Sequence, residues 1–397
     1  MTVFMMQKKL FLCFFATLFI FLILPLSSKA DAEGLSVSAK AAVLIEADTG
    51  RVLFSKNKDM QLPMASTTKI LTALITLESD GLDDLFVVDE KAIQVEGSSM
   101  GLRAGDSASL RTLACGMLLP SGNDAANAAA VRIGGSIAEF AAIMNQRAAA
   151  IGMKNSHFVT PSGLDNEQHY STAYDMAKLA RVALKNNAFQ DICSRNIAKV
   201  EFGNPPYERW LKNHNRLLNE YKGAIGVKTG FTKKSGRCLV SAAERDGVTL
   251  IAVTLNAPND WQDHTLMFNY GFNDVKPQQY HLQYEDIQLD IVGGKSAKVG
   301  VVPLTSTMVN VEENRLKDIT PKVIAEHFYY APVHAGDVMG KIELYLDGEE
   351  IGTTALIAAE DVQRDVTEIK YSLWDKIKMW FVNLKYKIIH YISGLLQ

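Results

Sequence analysis

The sequence predicts an α+β protein in which a domain of helices and antiparallel strands precedes a small all-β domain. Apolar residues recur with helical spacing directly after Pro63. Two strand-like runs, 237–244 and 248–255, are joined by a turn, as in an antiparallel pair. The helical spacing stops near 273–277, and the short strand-like runs beyond it are separated by glycine-rich turns.

Length and composition divide the chain into four segments. At 397 residues the chain is longer than a usual single domain, so we expect two folded units with terminal extensions. We assign 1–32 to a targeting segment, 33–275 to the first domain, 276–362 to the β domain and 363–397 to a C-terminal helix. The formal net charge of −3 argues against general nucleic-acid binding.

The N-terminus has the pattern of a secretory signal peptide. Lys8 and Lys9 precede an almost wholly apolar run over 10–26, and Ala30-Asp31-Ala32 fits the small-x-small pattern of a cleavage site. We therefore expect cleavage after Ala32 and export to the extracytoplasmic face of the membrane. The alternative is that this segment stays attached as a membrane anchor.

The cysteines favour buried thiols over a disulfide framework or a metal site. Cys13 belongs to the targeting segment, which leaves Cys115, Cys193 and Cys238, an odd number without Cys-x-x-Cys spacing. Cys115 lies in an apolar run and Cys238 in a strand-like one, as expected for small buried side chains.

A Ser-x-x-Lys pair begins the helical segment after Pro63. Ser66 and Lys69 are three residues apart, and on a helix such residues share a face. The lysine amine can then take the proton of the serine hydroxyl, which is a weak nucleophile without a base. The same pattern occurs at Ser55 and Lys58, in a polar stretch that predicts a solvated turn. The apolar helix that follows Ser66 favours the first pair.

A second motif, Ser121-x-Asn123, lies between two predicted helices. The helix over 110–119 ends at Pro120, and Asn123 and Asp124 begin the next one. Ser121 therefore belongs to a tight loop between helices. Capping of the second helix is the alternative explanation for these polar residues.

A third motif, Lys228-Thr229-Gly230, occurs once and precedes the predicted antiparallel pair. A Lys-Thr pair on an edge strand, followed by glycine, suits a strand that approaches a ligand closely. The alternative is a solvated lysine of the kind that edge strands use against aggregation.

The C-terminal segment predicts an amphipathic helix. At about 100° per residue the apolar side chains between Ile369 and Leu395 fall within one arc, which includes Trp374, Trp380 and Phe381. Lysines flank the arc, and no apolar run is long enough to span a bilayer. We expect the helix to lie in the interface of an anionic membrane surface. Docking on the protein's own surface is the alternative.

The three motifs, in this order and on these elements, resemble those of the penicillin-recognising serine enzymes. Within that group the whole chain is similar to the low-molecular-mass penicillin-binding proteins, which are serine-type D-alanyl-D-alanine carboxypeptidases. The resemblance implies a serine β-lactamase/DD-peptidase-like catalytic domain, an antiparallel sheet flanked by helices with a helical part that carries Ser121. It also implies peptidoglycan stem peptides and β-lactams as binding partners, and no cofactor.

The resemblance further implies roles for two groups of residues. The catalytic group comprises Ser66 as acylated nucleophile, Lys69 as base and Ser121 as proton relay. The substrate-binding group comprises Asn123, Lys228, Thr229, Gly230 and Phe231. Asn123 would bind the substrate's peptide amide, and Lys228 with Thr229 would hold its terminal carboxylate. The backbone N–H groups of Ser66 and Phe231 would form the oxyanion hole.

Other classes of protein are alternatives to this function. A Ser-His-Asp hydrolase lacks its Gly-x-Ser-x-Gly motif here, and a metallopeptidase lacks His-Glu-x-x-His. A catalytically silent wall-binding protein would not need all three motifs intact. A β-lactamase-like hydrolase needs a Glu-x-x-Leu-Asn motif, which Glu167 does not fit. The resemblance therefore implies a long-lived penicilloyl adduct on Ser66.

Overall fold

The structure, a computed structural model, describes residues 35–282, 287–304, 307–365, 372, 374, 376–382 and 384–385. These residues fall into two compact units. The first comprises the described chain up to Gln279 with Met308–Ile319 and Leu346–Ile351, and the second comprises the remainder. The targeting segment over 1–32 lies outside the described residues and stays a prediction, as do the exact domain limits.

The described residues between 35 and 365 form α-helices up to Asp274, and strands both before and after that residue. The helices are α1 (Lys69–Leu77), α2 (Leu110–Leu118), α3 (Asn123–Gly134), α4 (Ile137–Ile151), α5 (Ala173–Leu184), α6 (Asn187–Cys193), α7 (Leu217–Glu220) and α8 (Asp260–Asp274). The strands are β1 (Ala41–Glu46), β2 (Val52–Lys56), β3 (Phe86–Val87), β4 (Ser107–Ala108), β5 (Ile197–Gly203), β6 (Pro206–Lys212), β7 (Ala224–Thr232), β8 (Gly236–Arg245), β9 (Val248–Leu255), β10 (Lys276–Tyr280), β11 (Ile287–Val292), β12 (Lys298–Pro303), β13 (Thr307–Val311), β14 (Thr320–Ile324), β15 (Tyr329–Tyr330), β16 (Val338–Leu346) and β17 (Glu349–Ala358).

A five-stranded antiparallel sheet, ordered β2-β1-β9-β8-β7, forms the centre of the first unit. Ala41, Val43 and Ile45 of β1 pack into one apolar cluster, together with residues of α1 to α6. Ala42 and Leu44 pack into a second cluster with residues of α8. Because successive side chains of a strand point to opposite faces, helices cover the sheet on both sides. Strand β7 lies at the edge, as predicted for the strand of the third motif.

Helix α1 lies within the core of the first unit. All nine of its residues are buried, including Lys69 at its first position. A surface helix would leave its polar face in water. The burial of α1 on every side therefore carries the amine of Lys69 into the interior of the protein.

Side-chain caps explain where several helices begin. Ser109, Ser136 and Thr172 precede α2, α4 and α5, and each accepts a hydrogen bond from the backbone N–H three residues later. Helix α3 begins at Asn123 without such a cap, because the preceding residue is Gly122. Capping therefore does not account for the second motif.

Further sheets complete the two units. The first contains a four-stranded sheet ordered β3-β4-β5-β6, whose β5–β6 hairpin was not predicted. The second is built on a six-stranded sheet ordered β14-β16-β17-β12-β11-β15. Its β11–β15 pair is parallel, whereas β11–β12, β12–β17 and β14–β16 are antiparallel. The prediction of a β domain after the first domain is confirmed.

The described part of the C-terminal segment is helical at Trp374, 376–382 and 384–385. Its side chains are exposed, Trp374 to 72% and Trp380 to 60%. The rest of the predicted helix lies almost wholly outside the described residues, so that helix stays a prediction. Within the part of the chain that the structure describes, no helix combines the length and the apolar character needed to cross a membrane.

The thiols of the first unit are free and buried, as predicted for Cys115, Cys193 and Cys238. Burial raises the pKa of Cys115 and Cys238 to about 11 and that of Cys193 to about 12. Since the thiolate is the nucleophilic form, these side chains are unreactive at neutral pH.

Candidate active site

Ser66 lies in a 3-10 turn over Ala65–Thr68, and α1 begins directly after it at Lys69. The prediction that an α-helix already begins at Ser66 is wrong by this one turn. The turn is closed by hydrogen bonds to carbonyls three residues back, from Thr67 N to Met64 O and from Lys69 N to Ser66 O, which is the 3-10 pattern. The turn still brings the two side chains together, because Lys69 Nζ lies 2.9 Å from Ser66 Oγ.

The amine of Lys69 is fully enclosed. It donates hydrogen bonds to Asn123 Oδ1 at 2.6 Å and to the Ser162 carbonyl at 2.7 Å, and its side chain has no exposed surface. Burial lowers the pKa of Lys69 well below its ordinary value, and the charge of Lys228 lowers it further. The Asp124 carboxylate partly opposes this effect. A lysine with a depressed pKa can be neutral near pH 7 and act as a base.

The second and third motifs meet at another buried lysine. Ser121 has a φ of 64°, and its Oγ accepts a hydrogen bond from Lys228 Nζ at 2.9 Å. Lys228 Nζ also donates to the Thr229 carbonyl at 2.8 Å. Burial lowers the pKa of Lys228 to about 7. The three motifs, far apart in sequence, therefore form one cluster.

The glycine of the third motif allows β7 to lie directly against the 3-10 turn. A Cβ on Gly230 would lie 3.0 Å from Met64 O and Thr67 N and 3.1 Å from Ser66 N. Contacts this short are tighter than nearly all real Cβ contacts, so a side chain here would push β7 and the turn apart by a few tenths of an ångström. The edge strand thereby comes within reach of the Ser66 backbone.

An open cleft of about 640 Å³ runs past this cluster. Its lining includes five of the predicted site residues, namely Ser66, Ser121, Thr229, Gly230 and Phe231. Lys69 and Lys228 are buried and do not line it. Three cationic residues line the same cleft: Lys212, Arg216 and Arg237. Arg216 pairs with Glu220 and Arg237 pairs with Asp260, which also lines the cleft, so much of this positive charge is balanced.

Asp124 is a site residue that was not predicted, because its sequence position marks only a helix start. Its carboxylate accepts hydrogen bonds from Ser99 Oγ at 2.5 Å and from the N–H groups of Met100, Gly101 and Leu102 at 2.9 to 3.1 Å. It thus fixes the loop that supplies the Glu96 carbonyl to Asn123 Nδ2. No local signal marks this role, because its partners come from an irregular segment.

Ser162 was not predicted either, and it contributes only its backbone carbonyl. The carbonyl of Ser162 accepts from Lys69, and the carbonyl of Pro161 accepts from Thr72 one turn further along α1. Backbone acceptors carry no residue-type signature, so a sequence pattern could not have identified them.

The alternative sites considered from the sequence do not form a comparable cluster. Lys58 pairs with Asp59 at 2.5 Å rather than with Ser55, as expected for a surface turn. The imidazole of His264 contacts Ser241 and Thr254, but all three side chains lack exposed surface and no carboxylate of the described residues joins them. Across the part of the chain that the structure describes, no group of three or more His, Cys, Asp or Glu side chains is placed to hold a metal ion.

Comparison with known proteins matches both parts of the chain. The family model described as D-alanyl-D-alanine carboxypeptidase matches residues 27–259. A second model, the C-terminal domain of penicillin-binding protein 5, matches residues 283–364.

Individual relatives extend over most of the chain. D-alanyl-D-alanine carboxypeptidase DacF of Bacillus subtilis is 31% identical over 367 residues, which cover 87% of this chain and 92% of the relative. D-alanyl-D-alanine carboxypeptidase DacC of Escherichia coli is 30% identical over 387 residues, covering 91% and 94%. The crystal structure of penicillin-binding protein 5 from Haemophilus influenzae has a TM-score of 0.65 at 25% identity, covering 83% of this chain and 98% of that one. The chain therefore belongs to the serine-type D-alanyl-D-alanine carboxypeptidase family.

Proposed function

We propose that this carboxypeptidase removes the terminal D-alanine from peptidoglycan pentapeptide stems through an acyl-enzyme on Ser66. The observation that carries the proposal is the 2.9 Å approach of Lys69 Nζ to Ser66 Oγ, with the amine enclosed and its pKa depressed. A serine beside a neutral amine can give up its proton as it attacks a carbonyl carbon.

The acylation step follows from these positions. Lys69 takes the hydroxyl proton while Ser66 Oγ bonds to the carbonyl carbon of the penultimate D-alanine. The negative charge that develops on the carbonyl oxygen is stabilised by the backbone N–H groups of Ser66 and Phe231. Ser121 relays a proton to the departing D-alanine amine as the peptide bond breaks. Water then hydrolyses the ester and regenerates Ser66.

Substrate binding is assigned to the cleft walls. The Nδ2 group of Asn123 has two hydrogens, one of which is donated to Glu96 O, and we assign the other to the substrate's peptide group. Thr229 and Gly230 line the cleft, and Lys228 lies directly behind them. We assign the terminal carboxylate of the substrate to Lys228 and Thr229. The reaction requires no cofactor.

β-Lactams are expected to acylate the same serine. Their strained amide and carboxylate match the two features that the substrate offers to Ser66 and Lys228. Glu167 is exposed, and the residues around it do not form the Glu-x-x-Leu-Asn motif of a deacylating glutamate. We therefore infer that the penicilloyl ester on Ser66 is long-lived.

The proposed location is the extracytoplasmic face of the cell membrane. The signal-peptide pattern over 1–32 supports export. The exposed aromatic residues Trp374, Trp380 and Phe381, together with neighbouring lysines, support peripheral attachment through the C-terminal helix.

A fluorescent penicillin gel assay tests the nucleophile. We expect label on the wild type, no label on Ser66→Ala, and full label on Ser55→Ala, which alters the second Ser-x-x-Lys pair. Mass spectrometry of a pentapeptide muropeptide should show loss of one D-alanine with the wild type and with Ser55→Ala, but not with Ser66→Ala. An unlabelled, inactive wild type would instead favour a silent wall-binding protein.

A further inference from the structure

The backbone just before Ser66 has a conformation that needs support. Ala65 is buried and its φ of 48° lies in the left-handed region. A residue other than glycine keeps such a conformation only where its surroundings hold it. Gly163 packs against this point so closely that a Cβ there would lie 2.0 Å from Ala65 O. The peptide group that precedes Ser66 is therefore held by Gly163, a residue outside the 3-10 turn.

Thr68 holds the same carbonyl from within the turn. Its Oγ1 donates a hydrogen bond to Ala65 O at 2.7 Å and lies 2.9 Å from His169 Nε2. A hydroxyl has one hydrogen, and a carbonyl oxygen can only accept. Thr68 therefore donates to Ala65 and accepts from His169.

The tautomer of His169 agrees with this direction. The backbone N–H of Val159 donates to His169 Nδ1 at 2.9 Å, so the ring proton is assigned to Nε2. Burial lowers the pKa of His169 to about 4, which keeps the ring neutral. A directed chain of hydrogen bonds thus runs from Val159 through His169 and Thr68 to the Ala65 carbonyl, all within buried or half-buried surroundings.

We propose that Thr68 and His169 are positioning residues for acylation, which hold the Ala65 carbonyl so that Ser66 Oγ faces Lys69 Nζ. The proposal rests on the function proposed above, with Ser66 as nucleophile. Neither residue contacts the cleft, so both act through the turn. Without the Thr68 hydroxyl or the His169 ring, Ser66 and Lys69 stay in place in the fold. The Ser66 hydroxyl is then no longer held in the orientation needed for attack.

The test uses a matched pair of buried threonines on the full chain. Thr68→Val keeps the side-chain shape and removes the hydroxyl. Thr76→Val does the same at the far end of α1, where Oγ1 donates to Thr72 O at 2.7 Å. For Thr68→Val we expect the rate constant of acylation by a fluorescent penicillin to fall about 10- to 100-fold, with the dissociation constant of the non-covalent complex nearly unchanged. Thr76→Val should acylate at the wild-type rate, and Thr68→Ser should restore it.

A second variant, His169→Phe, tests the positioning role independently of whether Thr68→Val folds. His169→Phe keeps a ring but cannot donate to Thr68, and should slow acylation in the same way. The double variant with Thr68→Val should be no slower than the slower single variant, because both act on one carbonyl. If Thr68→Val does not fold, His169→Phe decides the question alone.

Two different outcomes would overturn the positioning role and the proposed function separately. Acylation of Thr68→Val or His169→Phe at the rate of Thr76→Val would overturn the positioning role and leave Ser66 as the nucleophile. Label that survives Ser66→Ala would overturn the proposed function itself.

Discussion

Lys228 Nζ lies 2.9 Å from Ser121 Oγ, although 107 positions separate the two residues. Lys69 makes the equivalent contact with Asn123 at 2.6 Å. Each buried lysine therefore joins its own element to the residues at the start of α3. The charge of Lys228 also lowers the pKa of Lys69. The base and the proposed carboxylate-binding group are thus coupled electrostatically.

Replacing Lys69 with alanine should remove acylation while the fold survives. Without the amine, Ser66 loses the base that lies within hydrogen-bond reach, and we expect about a thousandfold slower labelling by fluorescent penicillin. Lys58→Ala is the matched control, since it alters the second Ser-x-x-Lys pair at the surface. Labelling of Lys69→Ala at a rate near that of the control would exclude Lys69 as the base.

Replacing Lys228 with alanine should weaken substrates and β-lactams alike, because both carry a carboxylate. A hydrogen bond to a charged group contributes about 1.5–3 kcal/mol, so kcat/KM on a peptide ending in D-Ala-D-Ala should fall about 10- to 100-fold. Lys212→Ala, an exposed lysine of the same cleft, should have a smaller effect. An unchanged kcat/KM would mean that Lys228 is only a structural lysine of the edge strand.

The depressed pKa of Lys228 also predicts how stability depends on pH. Its folded-state pKa of about 7 lies below the ordinary value of 10.5. Between these values the unfolded chain binds more protons than the folded one, so the free energy of unfolding rises with pH in this window. Lys228→Met removes this contribution. Denaturant unfolding should therefore show that the free energy of unfolding increases more from pH 7 to pH 9 in the wild type than in Lys228→Met. Equal increases would contradict the lowered pKa of Lys228.

Asp124→Asn should loosen the loop that borders the cleft. The amide nitrogen of asparagine would face N–H donors, and leaving buried groups unpaired costs about 1–3 kcal/mol of unfolding free energy. The change also removes a negative charge that raises the pKa of Lys69, so acylation should reach its plateau at lower pH. The pH profile of the acylation rate constant measures this shift.

Asp175→Asn is the control for Asp124→Asn. Asp175 is also buried and accepts hydrogen bonds from Asn155 N and Ser156 Oγ, both at 2.8 Å. The Asp175→Asn variant should lower thermal stability about as much as Asp124→Asn does, but should leave the pH profile of the acylation rate constant unchanged. A shift of the profile in both variants would show that the effect is not specific to Asp124.

The family resemblance of the three motifs implied that their residues lie together, because each motif carries its chemistry in residue types. The turn around Ser66 was not predictable in this way. Its left-handed Ala65 depends on Gly163 and on a histidine about a hundred positions away, and such tertiary contacts leave no local pattern. The same limit applies to Asp124, whose partners lie in an irregular loop.

The strands that were not predicted differ in how clearly the sequence marks them. Strand β5 does alternate, with Ile197, Lys199 and Glu201 exposed and Ala198, Val200 and Phe202 turned inward, so its pattern was present in the sequence and was overlooked. In β6 only Leu211 is buried, so that strand has little alternation to detect. Strand β14 has no buried residue and contains Pro321, a residue type that is unfavourable within strands. Sequence periodicity detects strands that bury one face, whereas β6 and β14 are specified by pairing with neighbours.

Deleting 366–397 should release the protein from membranes without loss of carboxypeptidase activity in solution. The exposed apolar residues of this segment include Trp374, Trp380 and Phe381, and lysines flank them. Aromatic side chains insert at headgroup depth while lysines attract anionic lipid. Co-sedimentation with anionic liposomes, using proteins without residues 1–32, should therefore occur for the full C-terminus and not for the truncated form.

Salt separates the two contributions to this membrane binding. Raising the ionic strength screens the lysines, so binding should weaken yet not vanish, because the aromatic face contributes independently. Trp380→Ser should weaken binding at every salt concentration, whereas Lys378→Gln should matter only at low salt. Equal sedimentation of the full and truncated proteins would exclude the helix as the anchor. Loss of activity on truncation would favour a helix docked on the protein's own surface.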